Sequence, residues 1–422
     1  MRVLWASHFI PYPPKSGVHV RSYHLLRAVA AQHEVDLVAF IREAWLRIFF
    51  SSREEALRAC AQELGRMCRS IRFLPIDNLV RRGGTWRTAL EGLICPASYT
   101  LRYLQSRNAH QTFAEIAAGA KYAVAHFDTI GLAPFHEHFG DTPATLGHHN
   151  IESHLLLRRA SNETNPLKRL YFLQEGLRVQ KYEAQTAASF AAHITCSDLD
   201  GERLRSIAPQ AHTVTIANGV DVDYFRAACG PAVNSTRLIF VGSLNWYPNV
   251  DAVLFLLRDI WPLTKKAIPA LQLDIVGSAP PLRIIELAAQ LQGVKVHGFV
   301  DDVRPLMDRA ALYVCPIRDG GGTKLKILDA FAMQQCVIAH PIACEGIDVV
   351  AGRHVEFADS AEAFTASIGR LLQQPRERDE MGRAARQLVV ERYSFAQIGQ
   401  RLCEVFESVA ARSTNAACSA DH

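Results

Sequence analysis

The chain has no long apolar run, no large excess of one charge and no leader-like N-terminus, and each absence excludes a class of protein. Although 49% of the 422 residues are hydrophobic, no segment reaches the about 18 apolar residues that a membrane-spanning helix needs. The net charge of +4 is too small to indicate a nucleic-acid partner, which usually requires a concentrated basic face. The first apolar run is too short for a signal peptide. We therefore expect a cytoplasmic protein.

Paired cysteine motifs and helical zinc motifs are also missing. The ten cysteines form no Cys-x-x-Cys pair and stand at positions 60, 68, 95, 196, 229, 315, 336, 344, 403 and 418. This scatter predicts reduced thiols, and neither a disulfide framework nor a zinc site. The segment from His149 to His154 misses both the His-Glu-x-x-His and the His-x-x-Glu-His spacings.

Alternating strand and helix patterns organise the first half. At roughly 100–200 residues per domain, the length indicates two or three domains, and two is the simpler expectation. An apolar run begins at Val3, a helical pattern opens at Gly17, and a second strand pattern covers 34–40. This order predicts a doubly wound parallel sheet, which binds ligands beyond the carboxyl ends of its strands. Gly17 would then lie at a ligand edge, although a purely structural turn is an equal alternative.

The second half repeats this architecture after a predicted linker at 227–236, which contains glycine and proline. Successive predicted strands end in Gly242, Gly277 and Gly298, and this leaves backbone without side chains along one sheet edge. The sequence therefore predicts the α/β class, with two doubly wound Rossmann-like domains.

A glycine-rich loop, Gly320 to Gly322, stands between an apolar run at 311–316 and a helical pattern that begins at Leu325. Glycine lets the backbone approach a ligand closely, and a helix start offers unpaired N–H groups with partial positive charge. These features predict a phosphate site, and the alternative is a surface turn. Lys324 would add a cation in the first helical turn, where the helix dipole disfavours it, and such a placement suggests function.

Polar residues follow two further predicted strands, at 121–128 and 144–150. His126 and His149 lie at these strand ends and are candidate donors or general acids and bases. A structural role is the alternative for each.

Two segments are rich in basic residues. Residues 42–107 carry many arginines interleaved with aromatic residues such as Trp45 and Trp86. This pattern predicts a face that lies on anionic lipid, and the alternative is an ordinary solvated helix over a core. Residues 155–190 predict one long helix that also carries basic side chains.

Several short segments together resemble glycosyltransferase family 4, a family of GT-B fold. They are Val241-Gly242-Ser-Leu, Ile275-Val-Gly277, Val296-His-Gly298-Phe-Val, Gly320 to Ala330, Val337-Ile-Ala339 and Glu391-Arg-Tyr-Ser394-Phe395. The loop from Pro13 to Gly17, His149 and the Asn218-Gly-Val-Asp221 segment also match the family. The resemblance therefore covers nearly the whole chain.

The resemblance implies two Rossmann-like domains that face each other across a cleft. The N-terminal domain, 1–226, would bind the acceptor, and the C-terminal domain, 236–392, would bind the nucleotide sugar. A last helix, 393–411, would return to the N-terminal domain.

The resemblance also implies a role for individual residues. The base would be held by Gly298, Phe299 and Val300. The diphosphate would lie in a cradle of Gly321, Gly322, Thr323 and Lys324, and the same edge would be lined by Gly242 and Ser243. The ribose would contact Asp329, and the donor phosphates would be approached by Gly17. His149 would lie near the reacting sugar and, with Lys324, would act in catalysis. Gly321 and Asp329 stand where the family usually has two glutamates, so the sugar contact of the first glutamate is absent or made by backbone.

A second departure concerns the charges that usually balance the diphosphate. The family commonly has an arginine and a lysine where this chain has Ser243 and Pro248. We infer from this loss that Lys324, with Lys326, supplies the missing positive charge, because attraction between charges strengthens in a partly desolvated site.

The resemblance thus implies a retaining hexosyltransferase that moves a sugar from a nucleotide diphosphate to a glycan or a lipid-linked acceptor, in cell-surface polysaccharide biosynthesis. No metal and no cofactor are expected, because backbone N–H groups and a lysine can stabilise the leaving diphosphate. Peripheral contact with the cytoplasmic face of an anionic membrane is a further expectation. The alternatives are a nucleotide-sugar epimerase of the same fold and a degenerate protein that binds nucleotide without turnover.

Overall fold

The computed structural model describes residues 1–76, 98–228, 235–320 and 323–420, and of 413–420 it describes only the backbone. The chain forms two compact units: the first comprises Met1–Ala217 with Ile398–His422, and the second comprises Asn218–Gln397. Each unit is built around a parallel sheet with helices between successive strands. The predicted α/β class with two doubly wound sheets is confirmed.

The first unit contains a seven-stranded sheet in the order β3-β2-β1-β4-β5-β6-β7, with every neighbouring pair parallel. Its strands are β1 (Arg2–Ser7), β2 (Glu34–Phe40), β3 (Ser70–Leu74), β4 (Val124–Phe127), β5 (Ala144–His148), β6 (Ala192–Thr195) and β7 (Thr213–Thr215). Its helices are α1 (Gly17–Ala30), α2 (Glu43–Leu46), α3 (Arg53–Leu64), α4 (Tyr99–Arg102), α5 (Arg107–Gly119), α6 (Glu152–Asn162), α7 (Pro166–Thr186) and α8 (Asp198–Ile207). Tight 3₁₀ turns cover Ile130–Phe139 and Ala187–Ser189.

Both faces of this first sheet are buried, as a sheet with helices on each side requires. Along β1, Val3 and Trp5 enter one hydrophobic core, while Leu4 and Ala6 enter the core on the opposite face. The order of the strands reverses between β1 and β4. That reversal opens a crevice at the carboxyl ends of these two strands, which is the usual ligand position in such sheets.

The prediction of one long helix over 155–190 is wrong, because the helical pattern is interrupted at Asn165-Pro166. The side chain of Asn165 accepts hydrogen bonds from the backbone N–H groups of Leu167 and Lys168, both at 3.1 Å. Proline at the first helical position has no N–H to lose, so it starts α7 and cannot continue α6. The two helices consequently form an antiparallel hairpin, called the α6–α7 hairpin below.

The second unit contains a six-stranded sheet in the order β10-β9-β8-β11-β12-β13, again parallel throughout. Its strands are β8 (Arg237–Val241), β9 (Gln272–Val276), β10 (Val294–Gly298), β11 (Leu312–Cys315), β12 (Val337–Ala339) and β13 (Glu356–Phe357). Its helices are α9 (Tyr247–Phe255), α10 (Trp261–Ala267), α11 (Leu282–Ala289), α12 (Arg304–Arg309), α13 (Leu325–Ala332), α14 (Ala361–Gln373) and α15 (Pro375–Arg392). A π-helical turn at Leu256–Ile260 joins α9 to α10, and a 3₁₀ turn covers Pro341–Cys344. Here the strand order reverses between β8 and β11.

The division between the units falls before Asn218, ahead of the predicted linker at 227–236. The reason is a set of backbone contacts within the second unit. The N–H of Val220 donates to the carbonyl of Tyr393 at 2.8 Å. Arg386 of α15 donates to the carbonyl of Phe225 at 3.0 Å. These bonds hold the segment that follows Asn218 against α15, whereas residues 229–234 of the linker lie outside the described parts.

The last helix, α16 (Phe395–Ala420), extends beyond the predicted end at 411. From Ile398 onward it is part of the first unit. Leu402 and Phe406 lie in the core that contains Trp5. The helix approaches α1 so closely that a Cβ added to Gly399 would stand 2.2 Å from the Cβ of Ala28.

We predict that Gly277→Ala destabilises the second unit by about 1–3 kcal/mol, the usual cost of overpacking. A Cβ at Gly277 would stand 1.9 Å from the carbonyl oxygen of Gly242, which is backbone and cannot rotate away. The measurement is the midpoint of unfolding in urea, followed by circular dichroism.

The matched control is Gly369→Ala inside α14, where a new Cβ meets no atom within 4 Å. Because glycine weakens a helix interior, this variant is expected to gain roughly 0.5–1 kcal/mol. Equal midpoints for the two variants would contradict the assigned contact between β8 and β9.

Candidate functional site

The predicted glycines line up along the carboxyl edge of the second sheet. The N–H of Gly242 donates to the carbonyl of Val276, and the N–H of Gly277 donates to the carbonyl of Gly298, both at 2.9 Å. Gly298 has a φ of +68°, which favours glycine, and a Cβ there would meet no atom within 4 Å. The ring of Phe299 is 55% exposed at the same end of β10. This edge therefore offers open backbone at the positions predicted to hold a base, from Gly298 to Val300.

A lysine ammonium lies against the end of β8. The Nζ of Lys326 donates to the side-chain oxygen of Asn249 and would stand 2.7 Å from a Cβ added to Gly242. Asn249 in turn donates to the carbonyl of Ser243 at 2.7 Å. The charge is thus held at Gly242 and Ser243, beside α9, where the resemblance predicted that cations were missing. Asn249 had no sequence signal, because its role depends on how α9 packs on the strand end.

Lys324 occupies a different position from the one predicted. It is the residue before α13 and lies outside its first turn. Its Nζ donates to the carbonyl of Gly320 at 2.8 Å, which closes the loop after β11. Gly320 has a φ of +106°, a conformation that only glycine adopts easily. Gly321 and Gly322, the predicted centre of the phosphate cradle, lie outside the described residues.

Thr323 adds a second polar group to this loop. The residue is buried, and among the described residues its hydroxyl has no hydrogen-bond partner. Its backbone carbonyl accepts from the side chain of Asn218 at 3.4 Å. A buried hydroxyl without a partner costs free energy, and a bound ligand oxygen could satisfy it.

Burial perturbs two ionisable groups of α13. It raises the pKa of Asp329 to about 7, although the nearby Lys326 opposes this rise. It also lowers the pKa of Lys326 to about 8. For both groups the cost of burying charge exceeds their mutual attraction. A negatively charged ligand beside Lys326 would favour its ammonium form, so the geometry suits an anion.

We predict that Asp329→Asn gains stability over the natural chain as the pH rises from about 4 to about 7. An ordinary aspartate has a pKa of 3.8, so between these values the unfolded chain ionises while the folded chain stays protonated. Over this window the natural protein therefore loses about 1.4 kcal/mol of stability for each unit of pKa difference. The asparagine variant does not have this loss.

The measurement is urea unfolding of both proteins at several pH values across the window. Asp259→Asn, at an exposed position of the same unit, is the control and should keep a constant difference from the natural chain. A constant difference for Asp329→Asn as well would overturn the assignment of a protonated buried carboxyl.

A second cluster lies at the strand reversal of the first sheet. Asp128 follows β4, and its Oδ1 lies 3.3 Å from the Nε2 of His149, which follows β5. The hydroxyl of Ser22 in α1 donates to the other carboxylate oxygen at 2.7 Å, and that of Ser7 at the end of β1 donates at 3.4 Å. Burial alone would raise the pKa of Asp128, but His149 holds it well below its usual range.

Two further imidazoles border this cluster. Burial lowers the pKa of His19 to about 3 and that of His8 well below its ordinary value, and the cation of Arg42 adds to both effects. Nδ1 of His19 shares a hydrogen bond of 2.7 Å with the hydroxyl of Ser16. Ser16 therefore does not cap α1 with its side chain, and the helix starts at the exposed Gly17. A helix start without such a cap suits the predicted approach of Gly17 to a phosphate.

His126 has a structural environment. It is buried, shares a 2.9 Å hydrogen bond with Thr145, and packs 4.5 Å from the ring of Trp5. Asp128, two residues later, is the functional candidate that sequence reasoning left without a role. Its position directly after a strand was the available signal, but its pairing with His149 depends on the neighbouring positions of β4 and β5.

Two groups of side chains in the described parts have the ligand types and spacing of a cation site. His8, Asp128 and His149 form one group, and their ligand atoms lie within 4.8 Å of one another. His110, Glu137 and His138 form the other. Imidazole and carboxylate ligands suit divalent ions such as zinc. That no metal takes part remains a prediction from the sequence.

Several of the arginines of residues 42–107 form ion pairs where the structure describes them. Arg47 and Arg53 both pair with Glu43, and Arg69 pairs with Glu34. Trp45 stacks on His19 with ring centroids 4.2 Å apart. These contacts favour the alternative interpretation, a solvated surface over a core. Trp86 lies outside the described residues.

Two solved structures share this architecture. One is sucrose-phosphate synthase from Thermosynechococcus elongatus, which has a TM-score of 0.67 and 15% identity over 98% of this chain and 100% of that one. The other is Anabaena Alr3699/HepE in complex with UDP-glucose, which has a TM-score of 0.63 and 14% identity over 97% of this chain and 100% of that one. The protein therefore has the GT-B fold of glycosyltransferases.

A family model and a relative resemble parts of this sequence. Residues 235–374 match the family described as glycosyl transferases group 1. A relative, the uncharacterised 44.6 kDa protein in the cps region of Klebsiella pneumoniae, is 21% identical over 379 residues, which cover 87% of this chain and 90% of that protein. The predicted resemblance to the group 1 glycosyltransferases is therefore confirmed for this part of the second unit. Assignment to family 4 in particular stays a prediction.

Proposed function

We propose that the protein is a retaining hexosyltransferase that moves a sugar from a nucleotide diphosphate to a glycan or a lipid-linked acceptor. The position of Lys326 carries the proposal. Its ammonium lies at the open glycine edge of a group 1 domain, where a diphosphate needs a cation and where the expected arginine and lysine are replaced by Ser243 and Pro248. Lys324, which closes the loop at Gly320, provides a second charge nearby in the chain.

The chemistry follows from where charge develops. The bond between the sugar and the diphosphate breaks, and the leaving phosphate oxygen gains negative charge. Lys326, Lys324 and the backbone N–H groups around Gly320 to Thr323 stabilise that charge. The acceptor hydroxyl attacks the same face of the sugar and forms the new glycosidic bond, while its proton passes to the departing phosphate oxygen. Such a transfer retains the anomeric configuration and requires no protein nucleophile and no metal.

The cluster around Asp128 is the part of the protein proposed to position the acceptor. Asp128 fixes the orientation of His149 at 3.3 Å and stabilises the imidazole when it carries a proton. His149 thereby positions the sugar or the acceptor hydroxyl by hydrogen bonding. The relative from a cps region supports polysaccharide assembly as the context.

We predict that Lys326→Met weakens the binding of nucleoside diphosphate by about tenfold to a hundredfold, the usual worth of a hydrogen bond to a charged group. The unfolding temperature of the unliganded variant is the baseline, because removing Lys326 relieves its desolvation cost but leaves the Asn249 oxygen and Asp329 without this partner. Thermal stabilisation by a panel of UDP, GDP and ADP measures both quantities.

Lys324→Met is the matched variant, because this lysine lies two positions earlier and bonds to the backbone carbonyl of Gly320. Its loss of affinity should be smaller than that of Lys326→Met. A larger loss of affinity in Lys324→Met would assign the main role in diphosphate binding to Lys324. Unchanged binding in both variants would overturn the charge argument.

We predict that His149→Ala lowers turnover of the nucleotide sugar by about a hundredfold, the scale on which misplacing a reacting group slows a reaction. Binding of nucleoside diphosphate should change little. The assay measures released nucleoside diphosphate with a panel of glycan and lipid-linked acceptors, with and without EDTA. His212→Ala, at an exposed position of the first unit, is the control.

The same assay separates the alternatives. Product formation without an acceptor would indicate an epimerase, and binding without turnover would indicate a degenerate nucleotide-binding protein. An inverted anomer in the product would overturn the retaining mechanism, and loss of turnover in EDTA would overturn the metal-independent one.

A further inference from the structure

We propose that the α6–α7 hairpin is a docking surface for an anionic lipid bilayer. The helix α7 exposes leucines at positions three or four residues apart, which places them on one face. Leu167 is 77% exposed, Leu170 57%, Leu173 42% and Leu177 51%. In the described parts of the chain, no helix combines the length and the apolar content needed to cross a membrane. An apolar stripe of this kind suits a helix that lies in the membrane interface.

The charges of α7 are segregated so that the outer surface of this helix is cationic. Lys168, Arg169 and Lys181 of α7 are exposed. The two carboxylates of the same helix, Glu175 and Glu183, are 2% and 1% exposed and point inward. Exposed cations beside an apolar stripe are complementary to an anionic lipid surface, where each contributes to binding.

The hairpin holds this surface rigidly. Glu183 accepts hydrogen bonds from the hydroxyl and the N–H of Ser153 at the base of the hairpin. At mid-length, a Cβ added to Gly176 would stand 2.9 Å from the side chain of Leu157, so the two helices pack closely. The leucine face is thus ordered before it meets a partner, and binding costs little conformational entropy.

Charge decides between a membrane and a second copy of the chain as the occupant. Two copies that met through this face would bring Lys168, Arg169 and Lys181 of each copy near those of the other. Like charges at close range oppose association, whereas lipid phosphates attract them. The proposal does not depend on the glycosyl-transfer activity, because it concerns a surface of the first unit alone.

The test is flotation of the full chain with vesicles of phosphatidylcholine alone or mixed with phosphatidylglycerol. We expect binding to the mixed vesicles that weakens with salt. The double variant Leu170→Gln with Leu177→Gln should lower the partition coefficient by about tenfold or more, because buried apolar groups drive interfacial binding. Lys168→Gln with Arg169→Gln should lower it by roughly tenfold.

The controls remove exposed apolar side chains elsewhere. Leu263→Gln in α10, where the leucine is 41% exposed, should bind vesicles as the natural chain does. Ile48→Gln tests the arginine-rich segment, where Ile48 is 63% exposed, and should also leave binding unchanged. Circular dichroism of each variant checks that it is folded.

Three results would overturn the proposal. The first is no vesicle binding by the natural chain, and the second is equal binding to neutral and anionic vesicles. The third is a dimer, seen by sedimentation without lipid, that dissociates in the double leucine variant, because this would assign the face to a second copy.

Discussion

The buried ammonium of Lys326 is the constraint on which the site of the second unit depends. A Cβ at position 242 would stand 2.7 Å from its Nζ, so a side chain there would displace the ammonium from the strand end. Asn249 must face inward to accept a hydrogen bond from the ammonium and to donate one to the carbonyl of Ser243. Burial lowers the pKa of this lysine, so the folded chain holds its charge at a cost. An anion bound there would recover that cost, which is the physical basis of the proposed selection of a diphosphate.

The first unit uses the same sheet topology to bury a charge of the opposite sign. Each sheet reverses its strand order beside its first strand, and a charged group lies at each reversal. In the first unit that group is the carboxylate of Asp128, supported by His149 and Ser22. A carboxylate paired with an imidazole suits the recognition of hydroxyl groups, whereas an ammonium with backbone N–H groups suits phosphate. The proposed function accordingly assigns different halves of a glycosyl transfer to the two switch points.

The sequence predicted the strands and the glycine edge well, because both follow from local patterns. Strand β10 begins and ends where the apolar run does, and Gly298 adopts the positive φ that a bare edge allows. The sequence could not decide which lysine carries the charge. Lys324 and Lys326 are only two residues apart. Lys324 is the residue before α13, whereas Lys326 lies in the first turn of that helix and its side chain reaches the end of β8. Likewise, Asp128 and His149 meet only because β4 and β5 are neighbours.

The basic segments show why composition alone does not locate exposed positive charge. Counting arginines favoured residues 42–107, but acids three or four positions away neutralise several of them, as Glu43 does for Arg47 and Glu63 for Arg66. In the α6–α7 hairpin, the acids of the long helix α7 are buried and its cations are exposed. The exposed surface of α7 is therefore more positive than its sequence composition indicates. The break at Asn165-Pro166 produces this arrangement, because it folds α7 back along α6 and turns one face of α7 to solvent. Affinity for a membrane surface depends on which side chains face the lipid. In this hairpin, the turn at Asn165-Pro166 decides which side chains those are.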